Sequence, residues 1–443
     1  MIHSEPATAG RESRDTEVGS VFVSNYPPYS FWSEEAVAHL ETALESPPRP
    51  DTPFGLYLHI PFCRKRCKFC YFRVFTDKNF DEIGGYLEAM AGEVETYARR
   101  PAIAGRKPAF VYFGGGTPSY LSVKQLGTLV ERLRAAIPWD EAREVTFECE
   151  PGTLQKHKLE AIRDAGVTRL SLGIENFDDD VLRENGRAHL SKEIWRCLPW
   201  IEEVGFDQLN IDLIAGMVGE TDATWRETVA KTVDLAPDSV TIYQMELPYN
   251  TRYSRRLIEG ELSAPLADWP TKRAWQNQAF EALARAGYRL SSAYTMVRGD
   301  RECNFVYRDS VWRGCDLLGA GVASFSHLSG LHFQNVDGWG EYLARAAAGE
   351  SPVGRAFATT QRQRLIRELI LQMKLGRVEA APFRAKFGSD ILEEFAAPLA
   401  RLEARGMLEV EADAIRLTRE GLLRVDTLLP ELYDDEHRNS RYT

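Results

Sequence analysis

The chain, 443 residues long, has no apolar run near the ~20 residues that a bilayer-spanning helix needs, which excludes a helical membrane protein. Its first stretch, MIHSEPATAGRESRDTEVGS, lacks the apolar segment of a secretory signal. The Ser, Thr, Gly and charge in that stretch predict a disordered lead-in. Positive charge is in short supply: 54 Lys and Arg stand against 65 Asp and Glu, for a net charge of -11. The resulting pI of about 5.4 excludes nucleic-acid binding as the default expectation. Cysteine is scarce as well. Seven thiols, an odd number without a signal segment, exclude a disulfide framework and predict reduced cysteines in a cytoplasm. Four of them, Cys149, Cys197, Cys303 and Cys315, are scattered and read as buried, inert thiols.

What is present is a series of short β-branched runs alternating with amphipathic stretches. The strand-like runs are 54–60, 109–113, 144–150, 169–175, 208–214 and 239–247. Helical patterns cover 81–99, 122–136, 153–165, 190–204, 222–234 and 270–287. Six β-then-α units predict a parallel sheet, and right-handed crossovers curl such a series into a barrel or partial barrel. A doubly wound open sheet is the competing layout. The chemically loaded residues favour the barrel, because they fall at or near the C-terminal ends of the strands, where βα barrels assemble their sites. CRKRCKFC follows the first strand and GGGT the second. Glu148 and Glu150 close the third, Glu175 closes the fourth, Asp212 lies in the fifth, and Tyr243 and Gln244 lie in the sixth.

Beyond about residue 300 the pattern changes. CDLLGAGVASFSHL (315–328) reads as a buried strand and turn. Helical runs at 360–375 and 391–405, an alternating 407–418 and a last helix near 420–430 predict a small winged-helix-like unit. The expected class is therefore α/β, a partial parallel (βα)6 barrel with a smaller C-terminal winged-helix-like domain. Its expected boundaries are 1–50 for an N-terminal extension, 51–300 for the barrel, 301–355 for its closure and 356–443 for the C-terminal domain. The acidic end ELYDDEH argues against DNA as that domain's partner.

Cys63, Cys67 and Cys70 are the sharpest feature. Three thiols within eight positions, on a loop too charged to be core, suit an iron–sulfur cluster. A zinc site would want a fourth ligand; the nearest candidate, His59, precedes the triplet and no second CxxC follows. Three ligands on a four-iron cluster leave one iron open to a substrate or cofactor. The glycines Gly114, Gly115 and Gly116, with Thr117, allow close backbone approach to a ligand and serve equally as a tight turn.

YLHIPFCRKRCKFCYF carries a CxxxCxxC motif that resembles the signature of the radical S-adenosylmethionine (SAM) superfamily. FGGGTPS, ECEPGT, RLSLGIENF, NIDLIAGM and CDLLGAGVASF are similar, in order and spacing, to the branch of oxygen-independent coproporphyrinogen III dehydrogenase. The likeness spans roughly residues 22–430. It implies a [4Fe–4S] cluster on Cys63, Cys67 and Cys70 whose open iron binds SAM. It implies SAM contacts from Gly114, Gly115, Gly116, Thr117, Glu148, Glu175, Arg187 and Asp212, with Tyr57 beside them. It also implies a second SAM against Phe305 and Phe325. Tyr57, Glu175 and Tyr71 are the candidate catalytic residues.

Three departures bear on the reaction. Tyr71 stands just after the triplet, where the resembled dehydrogenase has a further cysteine. Glu175 and Val306 stand where it has glutamines. These changes tilt the expected reaction toward methyl or methylene transfer by two SAM molecules onto an unsaturated carbon. Oxidative decarboxylation of coproporphyrinogen III and heme delivery, as in the related chaperones, are the alternatives. The substrate is a small molecule, and the expected protein is a cytoplasmic monomer with neither nucleic acid nor membrane as partner. Arg64, Lys65, Arg66, Lys68 and Arg73 surround the cysteine loop and suit an acidic, flavodoxin-type electron donor or a carboxylated substrate; a solvated loop has the same composition. The aromatic SNYPPYSFWSEE (24–35) either folds over the barrel mouth or packs on its outside.

Overall fold

In the structure, a computed structural model, residues 14–438 are described. The six runs read as strands are strands: β1 Phe54–Ile60, β2 Phe110–Gly115, β3 Glu144–Cys149, β4 Arg169–Glu175, β5 Gln208–Ala215 and β6 Ser239–Gln244. Each pairs with the next in parallel. The antiparallel β7 (Tyr288–Leu290) and β8 (Thr295–Arg298) continue the sheet beyond β6.

The other edge is longer than expected. β9 (Asp316–Ala320) lies parallel to β1 as a seventh parallel strand, and β10 (Phe325–Leu328), β11 (Leu331–Asn335) and β12 (Val353–Ala358) extend the sheet antiparallel. The twelve strands run β12-β11-β10-β9-β1-β2-β3-β4-β5-β6-β8-β7, and the curved sheet stays open.

Alternation along the parallel strands decides where the core and the site sit. Leu56, Leu58, Ile60, Val111, Phe113, Phe147, Leu172, Ile211 and Ile242 are buried on the outer face, under helices such as Phe80–Tyr97 and Val123–Ala136. The intervening positions point inward and are polar: Tyr57, Tyr112, Glu148, Ser171, Asn210, Asp212 and Thr241. A parallel sheet sandwiched by helices is ordinarily apolar on both faces. Here the inner face is a hydrogen-bonded wall. Ser171 donates to Asp212 at 2.7 Å, Asn210 to Asp212 at 3.0 Å, and Ser239 to Asn210 at 2.8 Å.

The C-terminal segment forms a three-stranded antiparallel sheet, β13 (Arg377–Glu379), β15 (Ala414–Leu417) and β14 (Leu408–Val410), against the helix Gln361–Met373. The helical run read over 391–405 is broken at Phe395 into Ile391–Glu394 and Ala396–Ala404. β13 and the helix Ala381–Phe387 escaped the periodicity reading, being too short for it.

Residues 1–13 of the expected disordered lead-in lie outside the described residues. Residues 14–20 are ordered, contrary to expectation, because tertiary partners satisfy them. The Thr16 hydroxyl donates to the Ala267 carbonyl at 2.8 Å and the Gly19 amide to Leu247 at 2.8 Å. The segment continues past the end of β6, where Val21 donates to Glu246 at 3.1 Å. It then crosses the C-terminal unit, where Val23 donates to Asp426 at 2.9 Å, and reaches β12 through Ser33 and Ala356.

Candidate active site

The loop after β1 is tied down along its length. The Cys63 amide donates to Phe75 at 3.0 Å and the Thr117 amide to Phe62 at 2.9 Å; the Lys68 amide reaches Asn185 at 3.1 Å. Cys63, Cys67 and Cys70 are half-buried free thiols, close enough that their neighbours disfavour ionisation of Cys63 and Cys70. Burial pushes the Cys63 thiol up to about 12 and the Cys70 thiol up to about 11. Thr117 donates to the Cys63 sulfur and Arg187 to the Cys67 sulfur, each at 3.3 Å.

No three His, Cys, Asp or Glu side chains among the described residues converge on a single-ion site. His59 is engaged with Tyr57 rather than with the thiols. Its Nδ1 lies 3.1 Å from the Tyr57 hydroxyl, and burial pushes the imidazole down to about 4. A four-iron cluster puts each thiolate on a different iron, so its ligands stand wider than those of one ion. Three half-buried, mutually close thiols with hydrogen-bond donors aimed at two of the sulfurs suit that larger group.

The glycine loop leaves room beside them. Gly115 has φ +112°, and a Cβ there would meet the His59 ring at 2.6 Å; a Cβ on Gly116 would meet the Ile60 carbonyl oxygen at 2.9 Å. The bare backbone is what lets this loop lie against β1. Glu148 accepts from the Tyr112 hydroxyl at 2.7 Å and from the Gly115 amide at 3.1 Å.

Arg187 joins the two halves of the site. It donates to the Cys67 sulfur, to the Gly173 carbonyl at 2.8 Å, and pairs with Glu175 at 3.3 Å. Glu175 has φ +64° at a register shift in β4, a backbone strain that non-glycine residues seldom carry outside functional sites. Deeper, Glu150 accepts from Arg64 at 3.1 Å and lies 2.9 Å from His189. Burial alone would raise the Glu150 carboxyl, but His189, Arg64 and Arg187 overcome it and hold it at about 2.

The other three carboxyls behave differently. Burial, with Asp212 and Glu175 nearby, pushes Glu148 up to about 7 against its two donors. Burial likewise pushes Glu175 up to about 7 despite Arg187, and raises Asp212. The folded cofactor-free protein thus keeps protons on Glu148 and Glu175 that the unfolded chain releases near the ordinary 4.5. Between those values the folded state binds more protons, so this contribution to stability is full below 4.5 and lost as pH rises through about 7. Urea midpoints of the cofactor-free protein should decline from about pH 5 to about pH 8, and Glu148→Gln should flatten the decline. Midpoints indifferent to that substitution contradict this account.

The remaining expected residues are spread about this centre. Tyr57 stacks on Tyr112 at 5.8 Å, and Tyr112 meets Tyr307 at 4.3 Å. Tyr71 is 39 % exposed and stacks on Phe72 at 4.4 Å. Phe325 packs against Tyr29 at 4.4 Å and Trp32 at 5.7 Å. Phe305 lies between the guanidiniums of Arg169 at 3.5 Å and Arg308 at 4.6 Å. Glu144 accepts the amides of Val306 and Tyr307 at 2.9 and 3.1 Å, fixing that turn. Tyr112, Tyr307 and His189 were missed in the sequence. Tyr112 had a signal: it stands two residues before Gly114, in register with Tyr57, and so shares its inward face.

Comparison with known proteins decides the family. The Radical SAM superfamily model matches residues 57–231, and the HemN C-terminal domain model matches 359–424. The heme chaperone HemW of Mycobacterium tuberculosis is 30 % identical over 87 % of this chain and 96 % of its own. The chain belongs to the radical SAM superfamily, in the branch of the coproporphyrinogen III oxidases and heme chaperones. The oxygen-independent coproporphyrinogen III oxidase of Synechocystis sp. is 28 % identical over 91 % of this chain and 90 % of its own. Among solved structures, coproporphyrinogen III oxidase (HemN) from Escherichia coli matches the fold with a TM-score of 0.80, at 24 % identity, over 93 % of this chain and 96 % of its own. As a radical SAM enzyme the chain uses a [4Fe–4S] cluster and SAM. No helix among the described residues is long and apolar enough to cross a membrane.

Proposed function

We propose that the chain is an oxygen-independent oxidative decarboxylase of the coproporphyrinogen type, acting on a flat, polycarboxylated tetrapyrrole. The observation that carries this reading is the rim of the site. On a chain of net charge -11, the cysteine loop and the neighbouring 250–256 segment present exposed Lys65, Arg66, Arg73, Arg252 and Arg255. Exposed Tyr71, Phe72 and Tyr243 stand among them, at 39 %, 46 % and 42 %. Asn250 donating to Tyr71 at 3.0 Å and Tyr253 donating to Lys68 at 3.2 Å tie the two segments together. Aromatic faces and cations suit a macrocycle bearing propionates. Arg64 and Lys68, counted with the basic loop in the sequence, are instead paired with Glu150 and Glu184. The same rim suits an acidic electron donor.

In this reading Cys63, Cys67 and Cys70 hold the cluster. Gly114, Gly115, Gly116 and Thr117, with Glu148, Arg187, Asp212 and Tyr57, bind SAM, and Phe305 and Phe325 line a second SAM. Bound there, cluster and SAM supply a 5′-deoxyadenosyl radical by one-electron cleavage. The protein's own part is to exclude water and hold charge. Segment 20–33 lies across the C-terminal unit, with Tyr29 against Phe325, and in this reading shields the site from water. Arg187 keeps Glu175 oriented toward the thiol loop.

The expectation of methyl transfer draws no support from the relatives, which are named as coproporphyrinogen oxidases and heme chaperones. The decarboxylase reading takes its place. Anaerobic protein given SAM, reductant and coproporphyrinogen III should form 5′-deoxyadenosine together with carbon dioxide. S-adenosylhomocysteine formed in step with deoxyadenosine would restore methyl transfer; tight heme binding with neither product would make the chain a chaperone.

A further inference from the structure

Away from the thiol loop, where β9–β11 meet the helix Gln361–Met373, lies a partly enclosed cavity of about 20 Å³. Three guanidiniums line it, from Arg49, Arg364 and Arg367, with His327, His332 and Glu368. The positive charge there is poorly matched. Asp316, fully buried, is already shared by Arg49 and Arg106, each at 2.8 Å, and Glu368 is held by Lys386 at 2.6 Å.

Arg364 and Arg367 find only neutral oxygens. Arg364 donates to the Thr359 carbonyl at 2.9 Å. Arg367, 3 % exposed, donates to Asn25 at 2.6 Å and to the Val311 carbonyl at 3.2 Å. The buried Nε of Arg49 has no hydrogen-bond partner. Neither histidine can neutralise this excess; they contact each other through Nδ1, and burial together with Arg367 holds both imidazoles uncharged.

Three guanidiniums thus face one lining carboxylate, already held by Lys386 from outside, around a space large enough for one small guest. Buried charge is costly unless matched, and water matches it only weakly. The volume admits a water-sized occupant and no phosphate-sized one. We infer that this cavity binds a small monovalent anion, a halide or a single carboxylate group, held by Arg49, Arg364 and Arg367.

Such an anion would secure the seat of the N-terminal segment. Arg367 holds Asn25, and Trp32, which stacks on His332 at 5.5 Å, touches Phe325. The site thereby lies behind Trp32 and Phe325 without belonging to the thiol and carboxylate centre.

Bromide-soaked crystals of the full chain should show an anomalous peak between the three guanidiniums. In solution, exchanging gluconate for chloride at constant ionic strength should raise the apparent melting temperature by about 1–3 °C. Formate reproducing the shift would identify a carboxylate site, and chloride alone a halide site. Arg364→Met should abolish both the peak and the shift. Glu368→Gln, which removes a competing carboxylate, should tighten chloride binding at least about threefold and serves if Arg364→Met does not fold. An empty cavity in bromide with equal melting in chloride, formate and gluconate overturns the proposal, as does an Arg364→Met protein that keeps its peak.

Discussion

Cys67→Ala should purify colourless under anaerobic reconstitution and make 5′-deoxyadenosine at less than about a thousandth of the wild-type rate. The size of the effect follows from how little else the site offers iron. Cys63 and Cys70 are held protonated by burial and by the neighbouring thiols, so only metal binding makes their thiolates favourable. Removing one of three ligands leaves two, while His59 is engaged with Tyr57 and Cys149 is buried in the hydrophobic core. The fold should barely notice. Cys67 is half-exposed and its sulfur only accepts from Arg187, so cofactor-free stability should move by less than about 1 kcal/mol. Cys197→Ala gives the opposite pattern. That thiol is fully buried, so its loss should cost about 1–2 kcal/mol of stability and leave the colour intact. Absorption spectra and urea titrations of the two variants separate the cases, and a brown Cys67→Ala protein would refute the ligand assignment.

The contrast between those cysteines was legible because it is local. A thiol triplet on a charged loop and a lone thiol in an amphipathic helix differ within ten residues of sequence. The parallel strands were legible for the same reason: RLSLGIE and QLNIDLI alternate apolar with Ser, Gly, Asn and Asp. That alternation also held an unread message. A parallel strand with one polar face in a helix-covered sheet means an interior lined for chemistry, and Tyr112 and Asn210 could have been placed by parity alone. What periodicity could not reach is the long-range lacing. Tyr26 meets His437 at 2.8 Å across 411 positions, and Val23 meets Asp426 across 403. Nothing near Tyr26 in the chain announces His437. Of the antiparallel strands, β10 fell within the run read as strand and turn, whereas five-residue β11 is too short for its alternation to stand out and VGRAFA in β12 does not alternate.

Arg187→Met should cost the cofactor-free protein about 3–5 kcal/mol, the largest effect expected of any single polar substitution in the site. Arg187 is the cation through which Cys67, Glu175 and Glu150 act together, and burial that would otherwise discharge it is overcome by those three neighbours. Without it Glu175 stays buried beside Asp212, with Glu148 in the same cluster and no ion-pair partner of its own. Its carboxyl, already pushed up to about 7, should rise further, and the protein should escape part of the penalty by keeping it protonated. The loss of stability should therefore be smaller at about pH 6 than at about pH 8, the sign expected when a buried carboxylate loses its cation. Glu175→Gln in the Arg187→Met background should recover part of the loss, because it removes the uncompensated charge without changing the shape of the site. Arg187→Lys should fall between the two, since an ammonium cannot span the Cys67 sulfur, the Gly173 carbonyl and Glu175 at once. Urea midpoints of the three variants at the two pH values test this ordering. A loss independent of pH, or no recovery from Glu175→Gln, would mean that Arg187 acts by packing and not by charge.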